Sequence, residues 1–436
     1  MSRPSILLIT VDCLRADVLG CYGGPAATPH IDRLAVQGAR FNRAFAHSSF
    51  TKTTFPSIFS SAYPSDYGGS DRFAAARPSL VAALRAAGYH TLGVNSNPWL
   101  SESFGYRRGY SDYADLSSAT PMAHALPVRA ANHLLSLIGG GLVFPPYPDA
   151  ARVTDTAVSL LQSAADPFFL WVHYMDAHWP YNVARPLLYG PWQAARRGYS
   201  ARLGRKARRQ PAQVTPAERD ALFALYLAGI ATVDRHVGRL LAAAPADGVV
   251  LLTADHGEAF GEHGTYFHEH ALHAENVRVP LLLRAPGVRA AAHAAVVRHL
   301  DVAPTLLDAA GAPPATGMAG VSLLPALRGG QALPALDAYG EITTKRGRWL
   351  SLRRGPHAAI LLRDAAGGQV RQRKLYDHAA DPAERHDLAA SAPAVMQAME
   401  HDLLAYAAAR AAGETAVAAG DDAELQARLR ALGYLE

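Results

Sequence analysis

The sequence predicts an α/β protein with a doubly wound, mostly parallel β-sheet and a smaller α+β subdomain towards its C-terminal end. Two apolar runs of strand length predict the centre of the sheet: Ser5 to Val11 stops at Asp12, and GVVLLT at 248–253 precedes Asp255. Parallel strands that are buried on both faces give such continuous apolar runs. Helical periodicity alternates with these strands, as in sheets that are covered by helices.

The other elements of this domain follow in chain order. SLVAALRAAGYHTLGVNSN at 79–97 predicts a helix, a glycine stop and a strand, and FFLWVHYMDAH at 168–178 predicts another buried strand. A long helix is predicted from Thr215, because Thr215, Pro216 and Glu218 form a capping box with proline in the first turn. Apolar residues at three- or four-residue steps from Leu222 to Leu240 are expected to face the core. In such sheets the ligand site lies beyond the carboxyl ends of the strands.

After about residue 335 the pattern changes to short strand-like pieces, GRWLSLRR and HAAILLR, which precede an alanine-rich helix. We therefore predict a catalytic domain at 1–335, an α+β subdomain at 336–412, and a linker with a short helix at 413–436. A basic loop insertion is predicted at 185–214, because eight Lys or Arg and no acidic residue fall between Arg185 and Gln210. Such a block is typical of a solvated loop, and the alternative is a basic lid over an anionic substrate.

Composition narrows the class of protein. The 436 residues carry a formal net charge of +5, which is too small a basic excess for a nucleic-acid-binding composition. Cys13 and Cys21 are too few for a disulfide framework. The N-terminal apolar run is too short for a signal peptide, and no stretch is long enough for a membrane span. These features predict a cytoplasmic protein without a membrane span, and they leave its oligomeric state open.

Ligand-type side chains follow the predicted strands. Asp12, Asp255, His256 and His178 each come after an apolar run, and Thr51 lies in the stretch HSSFTKTTFPSIFSSAYPS that starts at His47. Carboxylate oxygens and imidazole nitrogens at one edge of a sheet can hold a divalent cation, and this mixture suits Zn²⁺ or Mn²⁺ better than Ca²⁺. Asp12 taken alone is equally compatible with a helix cap. The set together predicts one divalent metal ion.

Four stretches stand in this order along the chain: ILLITVDCLRADVLGCYG at 6–23, TPHIDRLAVQGARFNRAFA at 28–46, TADHGEAFGEHG at 253–264 and NVRVPLLLRAPG at 276–287. Together they resemble the sulfatase family of the alkaline phosphatase superfamily. This resemblance implies an alkaline-phosphatase-like fold and metal-assisted cleavage or transfer at a phosphate or sulfate ester through a covalent intermediate. It also implies that Asp12, Asp255 and His256 are metal ligands, that His178 holds the ester or protonates the leaving oxygen, and that His268 faces the substrate.

The nucleophile position departs from the sulfatase pattern. Sulfatases place a Cys or Ser that becomes formylglycine at the start of C-x-P-S-R, and counting back from Ser57 places Thr51 there. Thr53 and Phe55 replace the Pro and the Arg, so no formylglycine is expected. TKTTFPSIFS is instead similar to the loop of phosphoethanolamine transferases, in which a nucleophilic Thr is followed five residues later by Pro. Those enzymes usually have Glu where this chain has Asp12, and they have membrane helices.

These features predict a metal-dependent hydrolase or transferase of phosphate monoesters or diesters that forms a phosphothreonine at Thr51. The activated hydroxyl requires a metal or a base. Alternatives are a sulfatase with an atypical nucleophile and a non-catalytic metal- and anion-binding protein. Lys52 is either a phosphate contact or an exposed loop residue. Asn97 is either a substrate contact or a turn residue before proline, and His173 is expected to be a core histidine.

Overall fold

A nine-stranded, mostly parallel sheet forms the centre of the molecule. The computed structural model describes residues 3–69, 72–118, 147–181, 200, 202–268, 270–364 and 368–410. The strands of the first half are β1 (Ile6–Val11), β2 (Ala39–Phe45), β3 (His90–Asn95), β4 (Asp112–Asp115), β5 (Phe168–Tyr174) and β6 (Val249–Ala254). A small hairpin, β7 (Ala259–Phe260) and β8 (Tyr266–Phe267), precedes β9 (Arg278–Val279), β10 (Leu281–Arg284) and β11 (Ala291–Arg298). The sheet order is β11-β2-β10-β6-β1-β5-β3-β4, with β9 beside β2.

The three central strands are those that the sequence predicts as fully buried. Every residue of β1, β5 and β6 is buried, and β1 pairs in parallel with β5 on one side and with β6 on the other. Only β9 and β10 run antiparallel to their neighbours. The predicted doubly wound, mostly parallel sheet is therefore confirmed.

Two groups of helices accompany the sheet. The helices are α1 (Pro29–Val36), α2 (Thr51–Ser60), α3 (Leu80–Ala86), α4 (Ala150–Gln162), α5 (Pro216–Ala243), α6 (Ala274–Val277), α7 (Val302–Ala309), α8 (Leu324–Gly329) and α9 (Pro393–Arg410). Helices α1, α4 and α5 pack together, and α2, α3 and α7 form the second group. The predicted capping box of α5 is present, since Glu218 N donates to Thr215 Oγ1 and Thr215 N donates to the Glu218 carboxylate. Its predicted core stripe from Leu222 to Leu240 is buried.

The predicted C-terminal α+β subdomain is also confirmed. An antiparallel sheet of β12 (Ala338–Thr344), β13 (Gly347–Arg354), β14 (His357–Arg363) and β15 (Val370–Asp377) has α9 packed against it. This unit has its own apolar core, which includes Leu350, Leu361, Leu375 and Leu403. The exact boundary at residue 335 stays a prediction, and the predicted linker and short helix at 413–436 lie outside the described residues.

The predicted basic insertion at 185–214 is described only from residue 200 onwards, apart from residue 201. Its described part differs from the predicted loop, because residues 202–209 are helical and Pro211–Gln213 form a 3-10 turn. Leu203 and Ala207 are buried against the main core, which explains why this basic stretch is ordered as a helix. Among the helices that the structure describes, none is both long enough and apolar enough to cross a membrane.

Candidate active site

The carboxyl ends of β1 and β6 bring the two predicted aspartates together. Val11 pairs with Ala254 across these parallel strands, so the residues that follow, Asp12 and Asp255, leave the sheet side by side. Both side chains are fully buried, as is His256. Asp255 Oδ1 is oriented by the backbone, since it accepts hydrogen bonds from the N–H groups of Cys13 (3.2 Å) and His256 (2.8 Å). The ends of two predicted strands therefore meet, as the α/β topology requires.

Thr51 joins this group from the first turn of α2. Its hydroxyl oxygen lies 3.3 Å from Nε2 of His256, and the side chain is fully buried. On the other side of the ring, Nδ1 of His256 lies 2.9 Å from the carbonyl oxygen of Gly257. A carbonyl only accepts, so Nδ1 carries the proton and Nε2 presents its lone pair. The Nε2 atom lies 3.5 Å from Asp255 Oδ2 and 3.9 Å from Asp12 Oδ1.

The residues fit a divalent cation. Burial tends to raise the pKa of Asp12, but the imidazoles of His178, His173 and His256 outweigh burial and hold that pKa well below its usual range. Burial and the charge of Asp12 raise the pKa of Asp255 to about 6. Asp255 Oδ2 has no hydrogen-bonding partner among the residues that the structure describes. Two buried carboxylates with an unpaired oxygen need a compensating positive charge, which a metal ion supplies.

Asn97 and His173 orient Asp12. The amide Nδ2 of Asn97 donates to Asp12 Oδ2 at 2.8 Å, while its Oδ1 accepts from Trp99 N and caps the following turn. Nε2 of His173 lies 3.4 Å from the same carboxylate oxygen, and its Nδ1 is hydrogen bonded to Thr10 at 2.9 Å. His173 is a core residue as expected, but sequence reasoning missed its contact with Asp12. The signal is an imidazole inside a strand that is otherwise apolar and that pairs with the strand ending at Asp12.

His178 and His268 form the opposite wall of the site. Their ring centroids lie 5.0 Å apart, and the His268 ring lies 4.6 Å from that of His256. Nδ1 of His268 is 3.0 Å from an oxygen of the buried Glu258, a partner that sequence reasoning missed within TADHGEAFGEHG. Burial lowers the pKa of His178 to about 4 and holds that of His268 well below its usual value. Both imidazoles are therefore neutral at pH 7, and each can accept a proton.

Two cations, Lys52 and Arg208, pack over aromatic rings. The Lys52 ammonium lies 5.0 Å from the centre of the Trp99 ring, so this side chain packs over an aromatic face. The guanidinium of Arg208 lies 4.8 Å from the Trp179 ring and 5.0 Å from that of Phe267. These two rings neighbour His178 and His268 in sequence, and the charge of Arg208 contributes to lowering the pKa of both histidines. The predicted substrate roles of Lys52, Asn97 and His268 stay predictions.

A second group of potential ligands lies outside this site. His263 and His273 are stacked with ring centroids 3.8 Å apart and an interplanar angle of 7°, and His263 Nδ1 lies 2.9 Å from Glu275 Oε1. The lone pairs of two parallel rings lie in parallel planes and cannot converge on one ion, so this arrangement does not fit a metal. Against the effect of burial, hydrogen bonds and charge from Glu275 and Glu384 raise the pKa of His263 to about 9, which makes the stack a charged ring on a neutral one.

Comparisons with known proteins show the family of this chain. The family model described as Sulfatase matches residues 4–312. The chain is 27% identical over 350 residues to the uncharacterized sulfatase YidJ of Escherichia coli (strain K12), a match that covers 70% of this chain and 68% of YidJ.

Two solved structures share the fold. BT4656 in complex with its substrate D-glucosamine-2-N,6-O-disulfate has a TM-score of 0.73 and 19% identity, with 97% of this chain and 99% of that chain covered. The phosphonate monoester hydrolase SpPMH from Silicibacter pomeroyi has a TM-score of 0.73 and 20% identity, with 94% and 96% covered. The chain therefore belongs to the sulfatase family, and the predicted class, a sulfatase-like enzyme that acts on esters, is confirmed.

Proposed function

We propose that this enzyme is a metal-dependent hydrolase or transferase of phosphate monoesters or diesters, with Thr51 as the nucleophile. The observation that carries the proposal is the Thr51 hydroxyl, 3.3 Å from His256 Nε2 inside a fully buried set of cation ligands. Asp12, Asp255, His256 and Thr51 would hold one divalent ion, for which we favour Zn²⁺ or Mn²⁺ over Ca²⁺. When bound, this ion lowers the pKa of the Thr51 hydroxyl and draws charge from the ester oxygens.

The chain's own residues supply the remaining steps. Thr51 lies in the first turn of α2, where backbone N–H groups and the helix dipole favour the negative charge of a transferring phosphoryl group. Oγ1 of Thr51 forms a bond to phosphorus while the bond from phosphorus to the leaving oxygen breaks. The Thr51 hydroxyl proton passes through water to a neutral imidazole, His178 or His268, and the imidazolium so formed gives that proton to the leaving oxygen.

The choice of phosphate over sulfate follows from the second step. Water or an acceptor alcohol can attack the phosphorus of a phosphothreonine in line and so release Thr51. A sulfated threonine has no second hydroxyl on the same carbon to expel sulfate, whereas the formylglycine hydrate of sulfatases has one. Because threonine cannot form this hydrate, we propose that no formylglycine is present. Thr51 therefore has no second hydroxyl that could expel sulfate, and for this reason we rank phosphate esters above sulfate esters.

A sulfate ester is the second candidate substrate class. It is favoured by the likeness to YidJ, which is named a sulfatase, and to BT4656, whose bound substrate is a disulfated glucosamine. The fold is shared with a phosphonate monoester hydrolase as well, so the fold alone does not separate phosphorus from sulfur chemistry.

The test is to trap the intermediate. The metal-loaded enzyme is incubated separately with an aryl phosphate monoester, an aryl phosphate diester and an aryl sulfate, quenched in acid, digested and analysed by peptide mass spectrometry. We expect a phosphoryl adduct on the Thr51 peptide with a phosphate ester and none in Thr51→Ala. Thr53→Ala removes a neighbouring hydroxyl from the same helix and should keep both adduct and turnover. Full turnover by Thr51→Ala would refute the proposal, and turnover of the aryl sulfate alone would favour the second candidate.

The same assay separates a third possibility. A protein that binds Zn²⁺ or Mn²⁺ at this site but turns over none of the three esters, and forms no adduct, would be a non-catalytic member of the family. What supports catalysis is that Asp12, Thr51, Asp255 and His256, the residues proposed to hold the ion, are all fully buried and lie close to one another.

A further inference from the structure

Cys13 follows Asp12 directly and is held in an unusual backbone conformation. Its φ is +60°, in the left-handed region that residues other than glycine rarely adopt. Such a conformation costs on the order of 1 kcal/mol or more, and it persists only where the surrounding structure enforces it. The side chain is fully buried. A strained, non-glycine residue beside the proposed cation ligands is therefore a candidate for a functional role there.

The backbone of Cys13 is clamped from two sides. Its N–H donates to Asp255 Oδ1 at 3.2 Å, and its carbonyl accepts from the Tyr226 hydroxyl at 2.7 Å. The Tyr226 oxygen in turn accepts from Arg15 N at 3.0 Å, so α5 fixes the turn after β1. These contacts aim the thiol at the aspartates rather than at the apolar core.

The sulfur lies among the proposed ligands. Sγ of Cys13 is 3.1 Å from Asp12 Oδ1 and 3.5 Å from His268 Nδ1. One potential ligand atom from each of Asp12, Cys13 and His256 lies within 4.8 Å of the others. A zinc ion with bonds of about 2.0 Å to oxygen or nitrogen and 2.3 Å to sulfur separates its ligand atoms by roughly 3.3–3.8 Å. The three atoms therefore need only small movements to bind one ion.

We propose that the Cys13 thiolate is a further ligand of the metal that Asp12, Asp255 and His256 hold, which makes the site a sulfur, nitrogen and oxygen centre selective for zinc. This inference rests on the proposed metal-dependent function. Thiolate is a soft ligand that suits zinc and does not suit calcium, whose ligands are oxygens. As the metal–sulfur bond forms, the S–H bond breaks and its proton passes to solvent, so loading the site releases a proton.

Only two cysteines are present, and the second provides the control. Cys21 is partly buried and lies in a separate 3-10 turn, Gly20–Tyr22, where its N–H is bound by Asp32. We would load wild type, Cys13→Ser and Cys21→Ser with Co²⁺, measure bound metal, and record the near-ultraviolet absorption. A sulfur-to-cobalt charge-transfer band is expected in wild type and Cys21→Ser and should be lost in Cys13→Ser. X-ray absorption of the zinc-loaded wild type should show a sulfur at about 2.3 Å.

Metal selectivity gives a second measurement. Cys13→Ser should lose at least about tenfold in zinc affinity, with a smaller change for Mn²⁺, while Cys21→Ser stays close to wild type. Wild type that binds Co²⁺ and Zn²⁺ without the band or the sulfur scatterer would overturn the role of Cys13 and leave the proposed function standing. Wild type that binds neither ion would overturn the metal centre itself, and with it both proposals. The wild-type spectra decide the question even if Cys13→Ser does not fold.

Discussion

Replacing Asn97 with alanine tests whether the contacts around Asp12 set the affinity of the site for metal. The substitution removes the 2.8 Å hydrogen bond from Asn97 Nδ2 to Asp12 Oδ2 and also the cap that Asn97 Oδ1 provides for Trp99 N. Neither atom is among the proposed metal ligands. Any loss of affinity therefore reports on how firmly Asp12 is oriented.

The expected size follows from these two bonds. A hydrogen bond to a charged group contributes about 1.5–3 kcal/mol. Since each 1.4 kcal/mol corresponds to about a tenfold change in a dissociation constant, the Kd for Zn²⁺ should rise by about 10- to 100-fold. His173 still contacts Asp12 at 3.4 Å, which favours the lower end of this range. Loss of the cap should separately lower the free energy of unfolding by about 1 kcal/mol.

The assay is a competition titration of Zn²⁺ between the protein and a chromophoric chelator, with chemical denaturation of the same samples. Ser79→Ala is the matched control, because Ser79 caps α3 by accepting from Ala82 N at 3.2 Å and is not among the residues that contact the aspartates. We expect Ser79→Ala to lose a similar amount of stability and to keep its zinc affinity. A change of less than about threefold in the Kd of Asn97→Ala would refute the reasoning that orientation of Asp12 limits affinity.

Three further predictions test other parts of the molecule. Arg208→Ala should raise the KM for a doubly charged ester more than the KM for a singly charged one. Arg209 is a neighbouring exposed residue, and the control variant Arg209→Ala should not show this difference. Equal KM values for Arg208→Ala and wild type would contradict the prediction. Chelation should lower the free energy of unfolding, and Zn²⁺ at about 100 times its Kd should restore about 2.7 kcal/mol, as measured by denaturation; an unchanged midpoint would count against a buried site. The pKa of His263, raised to about 9, predicts that the stability difference between wild type and His263→Gln is fully present below pH 6.5 and declines as pH rises through 9. His386→Gln is the control for this denaturation series, because the His386 side chain is 82% exposed. A stability difference between wild type and His263→Gln that stays constant from pH 6 to pH 10 would contradict the charged state of His263.

The fold was predictable because its central strands carry a simple signal. Continuous apolar runs in β1, β5 and β6 indicate strands that are buried on both faces, and the capping box at Thr215 marks the start of α5. The basic segment was harder to predict. Residues 202–209 carry five Lys or Arg, which suggested a loop, yet Leu203 and Ala207 supply enough apolar contact to dock a helix. The prediction of a loop relied on the high charge of this segment and gave no weight to its two apolar residues. In the structure, the packing of these two residues is sufficient to hold the segment as a helix.

The candidate site was predictable from local patterns where its residues follow a strand, and at Thr51 from the resemblance of its loop. Asp12 and Asp255 follow buried strands, and the parallel topology requires that they meet. Cys13 and Glu258 had no comparable signal, since each reaches the site through a local turn. His173 had a weaker one, an imidazole inside an apolar strand. The left-handed turn at Cys13 depends on Tyr226, more than two hundred residues later, and no local pattern reports such a contact.

A threonine nucleophile also constrains the opposite wall of the site. If the covalent intermediate is a phosphothreonine, the second step needs water or an alcohol that approaches phosphorus from the side that the leaving group vacates. We expect His178 and His268, whose ring centroids lie 5.0 Å apart, to face that side, and burial lowers the pKa of both. The same pair can then give a proton to the leaving oxygen in the first step and take one from the incoming oxygen in the second. The acceptor that fits beside these two rings therefore decides between hydrolysis and transfer. Substitutions of His178 or His268 should change the ratio of the hydrolysis product to the transfer product, while Thr51 remains the residue that is phosphorylated.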